Sequence, residues 1–257
     1  MALSEETVSV RGGKFNVRLR HGGSGEPLVY LHGGTGGSAG GSMSGFLDLL
    51  AERHEVFVPT HPGWGSSTGI EHIENCVDMA LFYHDFFDAL GLTSVSLVGT
   101  SLGGMFAAEI AAINGSYVRK LVLAAPAGIL RNELPYLPSD TPPDVVMRRA
   151  FMNPPGIPAL GPEIQGDVTQ QREKAAAAAA KFFSPDADQG LEKRIHRIKA
   201  PTLLVWGQHD GLVNPGYGPV WQSLIANSQL VIMPNAAHVP MLENADEFVA
   251  IVSKFLA

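Results

Sequence analysis

Eight short runs rich in β-branched and apolar residues are spaced along the chain, at positions 7–10, 15–20, 27–31, 55–59, 94–99, 120–124, 202–206 and 229–233. From the third onward they are nearly continuous hydrophobic stretches ("PLVYL", "SVSLVG", "TLLVW"), the pattern of strands covered on both faces, as in a parallel sheet flanked by helices. Helical stretches separate them. In 73–90 the residues Ile73, Val77, Ala80, Leu81, Phe87 and Leu90 fall on one stripe at a period of 3.6, and 101–113 and 245–257 are the other clear helices. This alternation predicts an α/β fold with ligands at the carboxyl ends of the strands.

The rhythm breaks once. Between 127 and 199 there is no clear strand, prolines cluster in "LPYLPSDTPP" and "FMNPPGIPALGP", and helical patches fall at 145–151 and 170–183. Residues 1–126 and 200–257 are therefore expected to form one core, and 127–199 an inserted helical cap. The "REKAAAAAAKFF" piece is read as an ordered helix, since alanine has the highest helix propensity and its flanks are charged.

A chain of 257 residues is long enough for a real core, and its net charge of −7 carries no basic run. That makes nucleic acid and anionic membrane surfaces poor partners. The expected partner is a small-molecule substrate, and a homodimer is the assembly to test. The single cysteine, Cys76, has no internal disulfide partner, which fits a reducing compartment. No segment reaches the roughly 18 consecutive apolar residues of a membrane helix, and "MALSEETVSV" does not read as a signal sequence. The expectation is a cytoplasmic protein.

Chemistry enters at Gly99-Thr100-Ser101-Leu102-Gly103, a G-x-S-x-G lying between a predicted strand and a predicted helix. A tight strand-to-helix turn pushes the serine toward positive φ, tolerated only where its neighbours are small. Its hydroxyl is then lifted to the sheet edge at a helix N-terminus, where the Leu102 amide can stabilise an oxyanion. Ser101 is thus a candidate nucleophile, and it needs a base. Among the nine histidines, His32, His61, His209 and His238 follow predicted strands. Asp210, after "TLLVW", is positioned to orient His238, after "QLVIM", although a plain turn role for "HDG" is the alternative. The order Ser101, Asp210, His238 is that of the nucleophile-elbow fold.

A second oxyanion donor is expected from the glycine-rich loop "HGGTGGSAGG" after the third strand, with Gly34 the choice and Thr35 its neighbour. The same loop carries a dinucleotide fingerprint, Gly34-x-Gly36-x-x-Ala39, but the following strand ends in Pro59-Thr60 instead of the acidic residue that would hold a ribose. No cofactor is expected. No metal is expected either, because no histidine pair has ligand spacing with carboxylates. Trp64, Met105 and Phe151, with Met152 and Trp206, are candidates to line an apolar pocket, although each also reads as ordinary packing.

Taken together, "YLHGGTGG", "THPGWGSS", "VGTSLGG", "VRKLVLAAPAG", "APTLLVWGQHDGLV" and "NAAHVPMLENADEFVAIVSKFL" resemble, in order, the blocks of the α/β-hydrolase superfamily. The resemblance implies an eight-stranded, mostly parallel sheet with its second strand antiparallel, and a helical cap after the sixth strand. It implies a serine hydrolase acting on an ester, thioester or lactone, with Ser101, Asp210 and His238 as triad. The loop "HGGTGGSAGG" is similar to that of carbon–carbon hydrolases that cleave ring-fission diketones. Thr100 and Val239 depart from the Asn and Trp usual there, and Thr60-His61 departs from the common Asp before the "PG" turn. An arginine at 148 or 149 could meet a diketone acid's carboxylate. Some relatives bind small ligands without catalysis, a third reading. Serine at 101 disfavours epoxide hydrolases and dehalogenases, whose ester intermediates need a carboxylate nucleophile.

Overall fold

A computed structural model describes residues 3–35, 44–134, 136, 141–153, 162–183 and 190–257. Eight strands form a single sheet in the order β1-β2-β4-β3-β5-β6-β7-β8. They are β1 (Ser4–Val10), β2 (Phe15–Gly23), β3 (Glu26–Leu31), β4 (His54–Pro59), β5 (Val95–Thr100), β6 (Val118–Ala124), β7 (Thr202–Gly207) and β8 (Ser228–Met233). β2 runs antiparallel to both β1 and β4, and every pair from β4 through β3 to β8 is parallel. Each predicted strand is present, and the fold is the α/β-hydrolase architecture that the motifs imply.

The hydrophobic runs are continuous because their alternate residues feed two separate cores. Val29, Leu31, Leu97, Leu121, Leu123, Leu204 and Trp206 face one layer, containing α2 (Cys76–Ala89) and α3 (Leu102–Ile113). Leu28, Tyr30, Val98, Val122, Leu203 and Val205 face the other, with α1 (Ser44–Leu50) and α9 (Ala245–Leu256). Of the stripe expected along α2 and its flanks, Ile73, Ala80 and Phe87 are buried but Leu81 turns outward. Leu81 is 42% exposed, and the buried face is Cys76, Met79, Ala80, Phe82, Tyr83, His84, Phe86 and Phe87. Ten of the fourteen positions of α2 are apolar or aromatic, and Leu81 shares the more exposed face with Asp78, Asp85 and Asp88. The helix starts where Asn75 Oδ1 accepts from the amides of Val77 and Asp78, a side-chain N-cap.

Between β6 and β7 the described residues hold α4 (Pro143–Ala150), α5 (Pro162–Phe183) and α6 (Leu191–Arg194), with no strand among them. The alanine run lies inside α5. Its small side chains let the helix sit close to the body of the protein, with Ala175, Ala178 and Phe182 buried. Many of the prolines named above, including Pro135, Pro154, Pro155 and Pro158, lie outside the described residues. The remaining helices, α7 (Tyr217–Leu224) and α8 (Pro240–Glu243), are short connections that sequence periodicity does not single out.

Candidate active site

β3 and β5 are neighbours in the sheet although β4 intervenes in sequence. The chain therefore turns in opposite directions from them, opening the crevice in which α/β sheets bind ligands. Ser101 stands there, between β5 and α3, at φ 54° and ψ −117°. A non-glycine residue in this region costs on the order of 1–3 kcal/mol and persists only where its surroundings enforce it. Here the Ser101 N–H donates to the Ala124 carbonyl (2.9 Å), and its own carbonyl accepts from Met105 (3.0 Å) and Ala127 (3.1 Å). Small neighbours are obligatory: a Cβ on Gly103 would lie 2.3 Å from the carbonyl oxygens of Leu31 and His32, and one on Gly99 2.4 Å from that of Gly103. Beneath the turn, Thr100 Oγ1 and the Tyr30 hydroxyl share a buried hydrogen bond of 3.1 Å.

Asp210 follows β7 and His238 follows β8, and the structure brings them into contact. His238 Nδ1 lies 2.8 Å from Asp210 Oδ2, with side-chain exposures of 7% and 0%. A carboxylate can only accept, so Nδ1 carries the ring proton and Nε2 is left as the basic nitrogen. The other oxygen, Oδ1, accepts from the amides of Leu212 (2.8 Å) and Val213 (2.9 Å). The turn-former and imidazole-orienter readings of Asp210 are therefore both realised, one by each oxygen.

The two loops are braced together. Gln208 N–H donates to Met233 (2.9 Å) and His209 N–H to Ala236 (3.0 Å). The C-terminal end of α4 bridges them, with Gly211 N–H donating to Arg149 and His238 N–H to Ala150. Glu243 closes the lattice by accepting the amides of Met152 and Ala237, each at 2.6 Å. Ser101 lies at the same sheet edge, two strands from Asp210, and its hydroxyl makes no hydrogen bond to His238 among the described residues.

The loop after β3 borders this serine. A Cβ on Gly33 would be 3.5 Å from Ser101 Cβ, and one on Gly34 would be 3.6 Å from Leu102 Cδ2 and 3.5 Å from Ala179 Cβ. Gly34 and Leu102, chosen as oxyanion donors, are thus adjacent, and α5 contributes a neighbour that the sequence did not reveal. Gly36 and Ala39 of the dinucleotide fingerprint lie outside the described residues.

His32 and His61, passed over as catalytic bases, are buried against each other with ring centroids 3.8 Å apart. Burial pushes the His32 imidazole down to about 4. His61 is driven well below its ordinary value, first by burial and then by His32. The consequence for stability has a definite sign. Below about pH 6.5 the unfolded chain binds protons that these folded rings refuse, so stability present at neutral pH is lost as pH falls toward 4. Urea unfolding is expected to give roughly 2 kcal/mol less stability at pH 5 than at pH 7 from His32 alone, at a pH still above the ordinary carboxylate range. An unchanged free energy between these pH values would contradict the burial of both rings as neutral species.

The pocket candidates divide. Trp64 is fully buried, with its indole N–H donated to the Gly34 carbonyl and its ring stacked on Phe182. Met105 lies one turn after Ser101, packed beneath Gly128 and 4.0 Å from Cys76 Sγ. Phe151, half-buried, follows Ala150, whose carbonyl holds the His238 amide. Met152 is 42% exposed, and Trp206 is in the core with its N–H on the Val213 carbonyl. Phe106 and Phe182 meet edge to face at 4.8 Å beside His61 and Trp64. Arg148 is exposed and paired with Asp144 at 2.6 Å, and Arg149 and Arg172 are exposed. Arg131 and Arg194 hold Glu192 and Glu109.

Comparison with known proteins agrees with this fold. A model described as the alpha/beta hydrolase family matches residues 28–251. The 2-hydroxy-6-oxononadienedioate/2-hydroxy-6-oxononatrienedioate hydrolase 2 of Pseudomonas putida is 29% identical, over 99% of this chain and 97% of that protein. Lipase 1 of Psychrobacter immobilis is 26% identical, over 87% of this chain and 74% of its own. In fold, a putative lipase from Acinetobacter baumannii superposes with a TM-score of 0.84 at 22% identity, covering 99% of this chain and 91% of that one.

Proposed function

This chain belongs to the alpha/beta hydrolase family, and we propose that it is a serine hydrolase cleaving an ester, thioester or lactone of a small, largely apolar substrate through an acyl-enzyme on Ser101. The observation that carries the reading is the buried 2.8 Å contact between His238 and Asp210. It orients the imidazole, leaves Nε2 basic, and offsets the charge of the imidazolium once a proton arrives.

In the proposed reaction the Ser101 oxygen attacks the substrate carbonyl while His238 Nε2 removes the hydroxyl proton. The tetrahedral oxyanion is held by the Leu102 and Gly34 amides. It collapses by expelling the alcohol or thiol, protonated by the imidazolium, and leaves an ester on Ser101. Water, deprotonated by the same imidazole, then adds to that ester, and collapse releases the acid and restores the serine. No group beyond the chain and water is required. The segment carrying α4, α5 and α6 serves as the cap over this site, and its aromatic and alanine side chains suit an apolar acyl group. The lone buried Cys76 fits a cytoplasmic protein.

A second reading is carbon–carbon bond hydrolysis of a ring-fission diketone acid, favoured by the activity for which the Pseudomonas putida relative is named. The cap arginines speak against it, because Arg148 is engaged at the surface and Arg149 and Arg172 are exposed, leaving none of the three buried to receive the acid's carboxylate. Purified protein assayed with p-nitrophenyl butyrate and with a vinylogous diketone acid decides between them. Turnover of the acid with no ester hydrolysis would reverse the assignment. A non-catalytic binder would leave Ser101 unmodified by a fluorophosphonate probe.

A further inference from the structure

Three consecutive backbone carbonyls of the loop after β3 are each held by a ring N–H. His61 Nε2 donates to His32 O, His32 Nδ1 to Gly33 O, and Trp64 Nε1 to Gly34 O, all at 2.8 Å. The proton positions are forced by the partners. The His61 backbone N–H donates to His32 Nε2 at 3.1 Å, so that nitrogen carries no proton and Nδ1 does. On His61, Nε2 faces a carbonyl and must donate, while Nδ1 receives the Tyr83 hydroxyl. Two neutral histidines and an indole thus form one directed chain. Its members come from the loop after β3 and the turn after β4, with Tyr83 of α2 donating to His61, and they are brought together only by the sheet order.

The geometry of the peptide unit supplies the consequence. In a trans peptide the N–H points opposite to the C=O, and no cis peptide bond is present among the described residues. Drawing three carbonyls toward the ring cluster therefore turns the N–H groups of Gly33, Gly34 and Thr35 to the opposite side. At Gly33 and Gly34 the loop borders the Ser101 and Leu102 side chains, while the His32 carbonyl lies beside Gly103 of α3. The Trp64 indole is fully buried, stacked with Phe182 at 6.4 Å and 21° and edge-on to His32 and His61. It has no free surface to offer a substrate.

We infer that Trp64 and His61 are positioning residues for the Gly34 oxyanion donor: His61 fixes His32, whose Nδ1 sets the Gly33–Gly34 peptide plane, and Trp64 anchors the same loop at the Gly34 carbonyl, so that the amide is aimed before the substrate carbonyl becomes charged. Preorganised donors of this kind act on the transition state more than on the bound ester. The inference rests on the serine hydrolase reading above.

Trp64→Phe is the sharp test, because it keeps an aromatic ring against Phe182 and removes the N–H. Active sites are counted by fluorophosphonate titration, and kcat and KM are measured with p-nitrophenyl butyrate. Affinity is measured for a short alkyl trifluoromethyl ketone, which forms an oxyanion on the serine. The expected result is a kcat per labelled site lower by roughly tenfold, the worth of one hydrogen bond, with KM changed by less than about twofold. Affinity for the ketone should fall by a similar factor. His61→Leu should do the same, with part of the loss restored in His61→Gln, which retains a donor. Wild-type kcat per labelled site and wild-type ketone affinity in Trp64→Phe would overturn the inference alone, including where fewer molecules fold. A wild-type protein that neither hydrolyses the ester nor takes up the probe would sink the hydrolase reading and this inference with it.

Discussion

Ser101→Ala is expected to lower kcat toward a short p-nitrophenyl ester by roughly 10⁶, the loss seen when the nucleophile of another serine hydrolase is removed. The structure makes this a clean experiment. The bonds that hold residue 101 are made by its backbone N–H and carbonyl, and alanine retains both. Alanine also meets the same strained φ of 54° as serine, so folding stability should change by no more than about 1 kcal/mol. Loss of activity with an unshifted unfolding curve, together with loss of fluorophosphonate labelling, would locate the chemistry at one hydroxyl. If Ser101→Ala kept even a tenth of the ester hydrolysis, some other nucleophile would be at work and the mechanism above would fall.

The second large effect is at Asp210. Asp210→Asn preserves shape, and its amide oxygen can still accept from Leu212 and Val213 as Oδ1 does now. The amide nitrogen then faces His238 Nδ1 and can only donate. The imidazole must switch tautomer, placing its proton on Nε2, where a lone pair is needed. The same exchange in a serine protease costs about 10⁴ in kcat with geometry intact, and that size is expected here with KM little changed. The buried 2.8 Å contact supports so large an effect, because a desolvated carboxylate is not replaced by solvent. A reduction below tenfold would mean that His238 does not depend on Asp210. Groups acting as one unit are also non-additive. The double variant Ser101→Ala, Asp210→Asn should therefore be no slower than Ser101→Ala, a comparison read directly from residual rates.

Much of this protein follows from local pattern. The runs foretell all eight strands: β3 to β7 show because a strand buried on both faces needs hydrophobic residues at nearly every position, and the more exposed β1, β2 and β8 show as β-branched or apolar runs. No distant information is required to see either. The G-x-S-x-G turn is legible for the same reason: a backbone forced to positive φ between a strand and a helix selects its own small neighbours. Asp210 and His238 are identifiable as candidates by the strands they follow, and their contact agrees with the expected pairing.

Other features resisted the same reasoning. α2 is apolar or aromatic at ten of its fourteen positions, so an apolar stripe alone does not set its rotation, with Leu81 outward beside Asp78, Asp85 and Asp88 and Tyr83 inward. Trp64 reads equally well as pocket lining, and only the folded chain turns its indole onto the Gly34 carbonyl. Glu243 carries no signal for its two amide partners at positions 152 and 237. Helical spacing left Arg148 and Arg149 open to either a carboxylate or solvent, and their surroundings place both at the surface.

By itself, the order of residues determined which segments are strands, where the chain must turn sharply, and which side chains stand at the rim of the sheet, because these depend on neighbours a few positions apart. Only the tertiary structure decided which histidine meets a buried carboxylate and which two brace the loop after β3. His32 and His61 differ from His238 not in local sequence but in what surrounds them: two rings and an indole in one case, a buried carboxylate in the other. Hydrogen-bond partners and desolvation set a proton's place on an imidazole, and both are supplied by elements far apart in the chain.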